Sequence, residues 1–174
     1  KQAQRARVIV GDLLTFARKI DLKVEPVDIN ELIQNSLSSM KPHLQDQNIQ
    51  VMSSLDFGLP QTVGDPYQLE QVFLNLITNS VQALAPRPAP RRLMIESKQS
   101  HGSILLSFAD NGPGISKHII NRIFDPFFTT KQVGEGTGLG LSICFGIISE
   151  HKGRIWAENA PEGGAVFLVE LPVV

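Results

Sequence analysis

Residues 67–84 carry the clearest periodicity in the chain. Leu69, Val72, Phe73, Leu76, Ile77, Val81 and Leu84 recur at helical spacing and define one apolar face. Asp65-Pro66 predicts the start, with Asp65 as cap and Pro66 in the first turn. Pro86-Arg87-Pro88-Ala89-Pro90 ends that helix in an exposed turn. A second helix is expected from Ile29 to about Leu44, with Asp28 as its cap, and a third apolar helical pattern runs from Leu141 to Ile148. At the front of the chain, Ala6, Ile9, Leu13, Phe16 and Ile20 alternate steps of three and four. That is the seam of a coiled coil or bundle helix over residues 2–20, although an ordinary surface helix gives the same short pattern. An extended linker, Lys23 to Val27, follows it.

The strand signals have period two. Gln50 to Ser54 reads as one strand. Leu93 to Lys98 and Ser103 to Ala109 read as an antiparallel hairpin around His101-Gly102, and Arg154 to Glu158 and Ala165 to Leu171 flank the turn Pro161-Glu162-Gly163-Gly164. Strands and helices mixed in this order predict an α+β sandwich, one sheet with helices packed on a single face. There is no internal repeat and no low-complexity tract.

Polar residues interrupt these patterns in four places. Asn75 and Asn79 sit four apart on one side of the helix over residues 67–84, in a position that suits Asn poorly unless its amide is used. A buried amide pair would satisfy that requirement; a neutral carbonyl oxygen also suits Mg²⁺, which takes few protein ligands beside substrate phosphates. Asp110-Asn111-Gly112-Pro113-Gly114-Ile115 and Gly134-Glu135-Gly136-Thr137-Gly138-Leu139-Gly140-Leu141 are glycine clusters. Between them lies Phe124-Asp125-Pro126-Phe127-Phe128-Thr129-Thr130-Lys131. Glycine lets backbone amides approach a ligand closely, and the second cluster opens directly into a helix, where phosphate is favoured. The alternating glycines admit no Gly-x-Gly-x-x-Gly, and no P-loop sequence exists, so two common nucleotide folds are excluded. The motif set of eukaryotic-type protein kinases is also absent.

Composition adds limits. The 174 residues suit one ordinary domain plus an appendage, and a net charge of −1 gives no bulk reason for nucleic-acid or membrane-surface binding. Cys144 is the single cysteine, cannot form an internal disulfide, and reads as core filler in a reducing compartment. No run approaches the roughly 18 apolar residues of a membrane helix, and Asp12 breaks the apolar stretch that a signal peptide needs. The expectation is a soluble, cytoplasmic segment, with room for an anchor upstream.

The four segments, in this order, resemble the N, G1, F and G2 boxes of the catalytic domain of bacterial sensor histidine kinases, over about residues 25 to 174. Those kinases belong to a superfamily sharing the Bergerat ATP-binding fold with DNA gyrase, heat-shock chaperone and mismatch-repair ATPases. The short lid and the Phe-Phe-Thr-Thr-Lys run are similar to the nitrogen-regulation-like subgroup. The resemblance implies a two-layer α/β sandwich that binds ATP and Mg²⁺. Asn79 would be the metal ligand, assisted by Asn75. Asp110 would accept from the adenine amino group, with Gly112 and Gly114 admitting the ring. Gly136, Thr137, Gly138, Leu139 and Gly140 would present amides to the phosphates, and Lys131 would meet the γ-phosphate from a lid anchored by Phe127 and Phe128. Many relatives carry Lys or Arg three residues after the metal-binding Asn; here that position is Gln82, which shifts neutralisation onto Lys131 and Mg²⁺.

Arg5 to Arg18 resembles the second helix of the dimerisation and phosphotransfer hairpin, which divides the chain into residues 1–22 and a catalytic domain at 23–174. The resemblance implies homodimerisation through that helix, a phosphoacceptor histidine before Lys1, transfer of the γ-phosphoryl group to it, and relay to an aspartate of a response regulator. None of His43, His101, His118 or His151 is followed by the Glu and Pro of an acceptor box. His151 aligns with a His-Gly-Gly-like turn and reads as structural. Three competitors stand beside the kinase: a gyrase- or chaperone-type ATPase clamp, a serine kinase acting on a sigma-factor regulator, and a nucleotide-binding module without activity. The clamp needs a Glu where Asn75 stands, the helix over residues 2–20 argues against the serine kinase, and intact boxes argue against the inactive module. Residues 117–137 are expected to form a lid ordered by the γ-phosphate.

Overall fold

A computed structural model describes residues 23–131 and 136–173. The expected helix over residues 2–20 lies outside the described residues. Strand β1 (Glu25–Val27) leads into helix α1 (Ile29–Asp46), followed by β2 (Ile49–Leu55), β3 (Thr62–Gly64) and helix α2 (Pro66–Leu84). Then come β4 (Arg91–Ser100), β5 (Ser103–Asp110), helix α3 (Gly140–Glu150), β6 (Arg154–Asn159) and β7 (Ala165–Pro172).

Five strands form one sheet in the order β2-β4-β5-β7-β6, and β1 pairs antiparallel with β3 in a separate two-stranded piece. Only β2 runs parallel to its neighbour β4; the other pairs in the large sheet are antiparallel. One face of each inner strand is apolar and buried: Leu93 and Ile95, Ile104, Leu106 and Phe108, then Phe167, Val169 and Leu171. The helices cover that face, with Phe73 of α2 stacked on Phe108 of β5 at 5.8 Å between ring centroids. The expected α+β sandwich is what forms.

The predicted caps are present. Asp28 accepts from the Glu31 amide at 3.1 Å, and Asp65 accepts from Tyr67 and Gln68 at 3.0 and 3.2 Å. The far end of α2 closes differently from the sequence expectation of a simple proline turn. Arg91 reaches back to donate to the carbonyls of Ala85 and Arg87, and across to that of Gln47. One guanidinium therefore ties the end of α2 to the α1–β2 turn through its rigid fork of donors. The element boundaries extend beyond the periodic cores. The most consequential extension is β5, which continues one residue past Ala109 to include Asp110.

Candidate nucleotide site between α2, α3 and the end of β5

Strand alternation delivers Asp110 into the interior. Ile104, Leu106, Phe108 and Asp110 share the helix-facing side of β5, so the carboxylate continues a row of apolar side chains and is 5% exposed. Burial pushes its carboxyl above the ordinary value of 3.8, while amides of Gly112 and Ala165 and the nearby Ser80 hydroxyl oppose that rise. Oδ1 accepts from Gly112 N–H at 2.8 Å and, more weakly, from Ala165 N–H at 3.4 Å. The Ser80 hydroxyl is fully buried, yet it has no hydrogen bond of ordinary geometry. A buried orphan hydroxyl beside a buried carboxylate is a costly arrangement that a polar ligand would satisfy.

The walls of this pocket require glycine. A Cβ on Gly112 would stand 2.7 Å from Asp110 Oδ1, and one on Gly164 would stand 1.8 Å from the Asp110 carbonyl oxygen. Gly164 also has φ +96°, a conformation that side chains rarely adopt. Asn159 fixes the loop from the opposite side, accepting from Ile115 N–H and donating to Ile115 O, both at 2.7 Å. Asn111 does the same toward the start of β4, accepting from Arg92 N–H at 2.7 Å and donating to Pro90 O at 2.8 Å. Ser80, Asn111, Asn159 and Gly164 were not singled out by sequence. The alternation of β5 and the double glycine at 163–164 were the available signals for the carboxylate and its wall; Asn159 carries none until β6 and β7 are paired.

The opposite end of the site is built by α2 and α3. Asn75 and Asn79 lie on the half-buried side of α2. Asn75 Nδ2 points to Gly140 O at a long 3.5 Å, so the first asparagine packs against the amino end of α3. Among the described residues, the Asn79 side chain has no hydrogen-bond partner. Helix α3 begins after Leu139 with no side-chain cap, leaving its first-turn N–H groups without intrahelical acceptors. The Thr137 hydroxyl accepts from Leu139 N–H at 3.3 Å and shapes the approach. Gly138 is held against Phe127: its φ is +68°, and a Cβ would lie 2.5 Å from the Phe127 carbonyl carbon.

The chain between β5 and α3 forms turns over residues 117–127. Phe128 is half-buried against the core, whereas Phe127 is 65% exposed with φ +65°. The expected pair of anchors is therefore one packed ring and one backbone contact, the latter through Gly138. Lys131 Nζ donates to Gln82 Oε1, and partial desolvation lowers its pKa.

Two residues take the structural roles expected of them. Cys144 is buried against α2, and burial pushes its thiol up to about 12, so it stays protonated. His151 is buried with Nδ1 2.7 Å from Ile147 O, which only accepts, so Nδ1 carries the proton. Nε2 then accepts from Asp65 N–H at 2.9 Å, pinning the start of α2 to the end of α3. Gly64 leaves the space for that ring, since a Cβ there would come within 2.4 Å of it.

Comparison with known proteins identifies the family of this fold. The family of histidine kinase-, DNA gyrase B- and HSP90-like ATPases matches residues 64–174. Sensor histidine kinase ZraS of Escherichia coli K12 is 34% identical over 99% of the chain, and sensor histidine kinase TmoS of Ectopseudomonas mendocina is 32% identical over 99%. The chain spans 36% and 18% of those two proteins. Among solved structures, the catalytic domain of histidine kinase ThkA is 34% identical, with a TM-score of 0.77 over 86% of this chain and 95% of that one. ThkA in complex with response regulator protein TrrA gives 0.83 at 30% identity, over 99% of this chain and 48% of that one. With its site framed by the same elements that carry the sequence motifs, the chain belongs to the histidine kinase-, DNA gyrase B- and HSP90-like ATPase family, among the catalytic domains of sensor histidine kinases.

Proposed function

We propose that residues 23–174 form the ATP-binding domain of a two-component sensor kinase and that residues 1–22 close its dimerisation hairpin. The carrying observation is that a single helix, α2, borders both the Asp110 pocket and the start of α3. It sends Ser80 to the Asp110 carboxylate and Asn75 to the uncapped start of α3, with Asn79 one turn further along the same side. In this reading the Asp110 carboxylate takes the adenine amino group, and the glycines at 112 and 114 admit the ring. The amides of Gly136, Thr137, Gly138, Leu139 and Gly140 take the phosphates, and Lys131 meets the terminal one. Asn79 would hold Mg²⁺: its half-buried carboxamide is a suitable hard ligand, and the ion needs few others beside phosphate oxygens. Bound there, the ion would offset phosphate charge during transfer.

Asn75 favours a kinase over a hydrolase. It is a neutral amide lodged against Gly140 and has no basicity with which to activate water. The phosphoryl group would pass to a histidine of the first hairpin helix in the full-length protein, and from there to a response-regulator aspartate. We place the chain in the nitrogen-regulation-like subgroup, in a cytoplasmic setting, with homodimerisation through the hairpin and no nucleic-acid or membrane contact. None of the helices among the described residues is long and apolar enough to cross a membrane.

The test is to supply the chain with Mg·ATP and the complete two-helix hairpin of its own full-length protein. The hairpin should acquire an acid-labile phosphoryl group, slowly because the parts are untethered, while the chain alone hydrolyses little ATP and labels none of its own four histidines. Brisk turnover by the chain alone, with no transfer, would replace the kinase reading by an ATP-driven clamp.

A further inference from the structure

Gln82 is a polar side chain of α2, beside the asparagines, that the proposed function leaves unused. It follows Asn75 and Asn79 at helical spacing, seven and three residues on, so the three amides form one stripe. Its side-chain carbonyl accepts from the Lys131 ammonium, a contact that spans 49 residues of sequence. The rest of Lys131 is also fixed. Its backbone N–H donates to Thr129 Oγ1 at 3.2 Å. Its stem lies across Gly136, where an added Cβ would stand 3.0 Å from both Lys131 Cδ and Thr129 Oγ1. Lid, glycine loop and asparagine helix therefore meet at this one lysine.

We propose that Gln82 is a positioning residue that holds the Lys131 ammonium beside Asn79 and leaves its charge available to a nucleoside triphosphate. This rests on the reading of Lys131 as a terminal-phosphate contact. An ammonium has three donors and no acceptor. The Gln82 carbonyl takes one, which leaves two for phosphate oxygens. A carboxylate at the same place would pair with the lysine and also repel the phosphates. Among the described residues the ion pair is Arg122 with Asp125, and no carboxylate there pairs with Lys131. The partial desolvation that lowers the Lys131 pKa is consistent with this, since such an ammonium gains from an oppositely charged ligand. Gln82 itself would not touch the nucleotide; it acts by removing the freedom of a long, flexible side chain before the ligand arrives.

Calorimetric titration of Mg·ATP and Mg·ADP into the parent chain, Lys131→Ala, Gln82→Leu, Gln82→Glu and the Lys131→Ala/Gln82→Leu double variant tests this. K131A should lose about tenfold or more in Mg·ATP affinity, and Q82L about three- to tenfold, each with Mg·ADP changed by less than about twofold. In the double variant Q82L should add nothing, because its effect passes through the lysine. Q82E should bind Mg·ATP no better than Q82L. A K131A loss equal for both nucleotides would remove the phosphate role of Lys131 and the proposal with it. An ATP-selective K131A loss overturns the role of Gln82 alone if Q82L weakens Mg·ATP as much without the lysine as with it, if Q82L affects both nucleotides equally, or if Q82E binds like the parent.

Discussion

The two halves of the site are built in opposite ways. The half around Asp110 is made of strand ends and tight turns: a carboxylate on the inner face of β5, a reciprocal pair of hydrogen bonds between Asn159 and Ile115, and a glycine wall at 164 against the carboxylate's own backbone. The half around Lys131 is made of side chains arriving from separate segments, with Lys131 and Gln82 exposed and Asn75 at a long 3.5 Å from Gly140. Rigid scaffolding positions the first, whereas the second rests on side-chain contacts between segments far apart in sequence, such as Lys131 with Gln82. On the proposed reading, the base pocket would be built into the fold before a nucleotide binds, and closure over the phosphates would follow the triphosphate. A kinase domain divided this way would hold ATP and ADP alike by the base and reserve closure for the form that can donate.

The largest effects should come from breaking the rigid half. Gly164→Ala forces a side chain onto the Asp110 carbonyl in a positive-φ conformation, and should cost about 3 kcal/mol or more in urea unfolding. Gly163→Ala is the matched control: its φ is +97° but an added Cβ meets nothing within 4 Å. Only the backbone penalty of about 1–2 kcal/mol should remain. Equal losses would mean that the wall against Asp110 carries no weight.

Next in size is base selectivity. On the proposed reading, Asp110 would offer an acceptor where adenine has an amino donor and guanine a carbonyl, and two facing acceptors cost about 1–3 kcal/mol. ATP should displace a fluorescent nucleotide at least about tenfold better than GTP; comparable displacement would take the base-reading role from Asp110. In the phosphate half, Asn79→Ala would remove the proposed metal ligand and leave the proposed base contacts intact. Mg·ATP binding should weaken by about tenfold while Mg-free ADP binds as before, and an equal loss for both would deny Asn79 the metal.

The smallest effect concerns stability and pH. Burial raises the Asp110 carboxyl above 3.8, so the folded chain holds that proton more tightly than the unfolded chain. The stability this group lends is fully present below its ordinary value and falls as pH rises through the raised folded value. Asp110→Asn keeps an acceptor for Gly112 N–H and removes the buried charge. Without nucleotide it should be no less stable than the parent at neutral pH, and its stability should fall less across the acid window. A less stable variant in urea titrations at neutral pH would show that the carboxylate serves the fold.

Much of this was legible in the chain because local signals and long-range packing agree. The Asp65 cap, the apolar stripe of α2 and the period-two runs of β4, β5 and β7 each appear as expected, and each is a pattern contained within about twenty residues. Asp110, Gly112, Gly138 and Gly140 fall at the site because they belong to segments whose ends meet at the edge of α2. The missing pieces depend on pairing across the sheet. Asn159 sits opposite Ile115 only after β6 has joined β7, and Gly164 becomes a wall only because β7 lies beside β5. Arg91 caps α2 from the next strand, and β1 finds β3 across 35 to 39 residues of sequence, as the register of Val27 with Thr62 and Glu25 with Gly64 shows. Ser80 looked like one more polar residue between Asn79 and Val81; its burial beside Asp110 is a property of the helix's rotation on the sheet.

Hydrogen exchange read by mass spectrometry tests the division most directly. It would compare the chain alone, with ADP, and with Mg²⁺ and a non-hydrolysable ATP analogue. ADP should slow exchange around residues 110–115 and 159–164, and the triphosphate should add protection over residues 117–140, the loss of that added protection being the expected mark of Lys131→Ala. Full protection of residues 117–140 by ADP, or none by either nucleotide, would contradict a base pocket that is ready and a phosphate half that closes on the triphosphate.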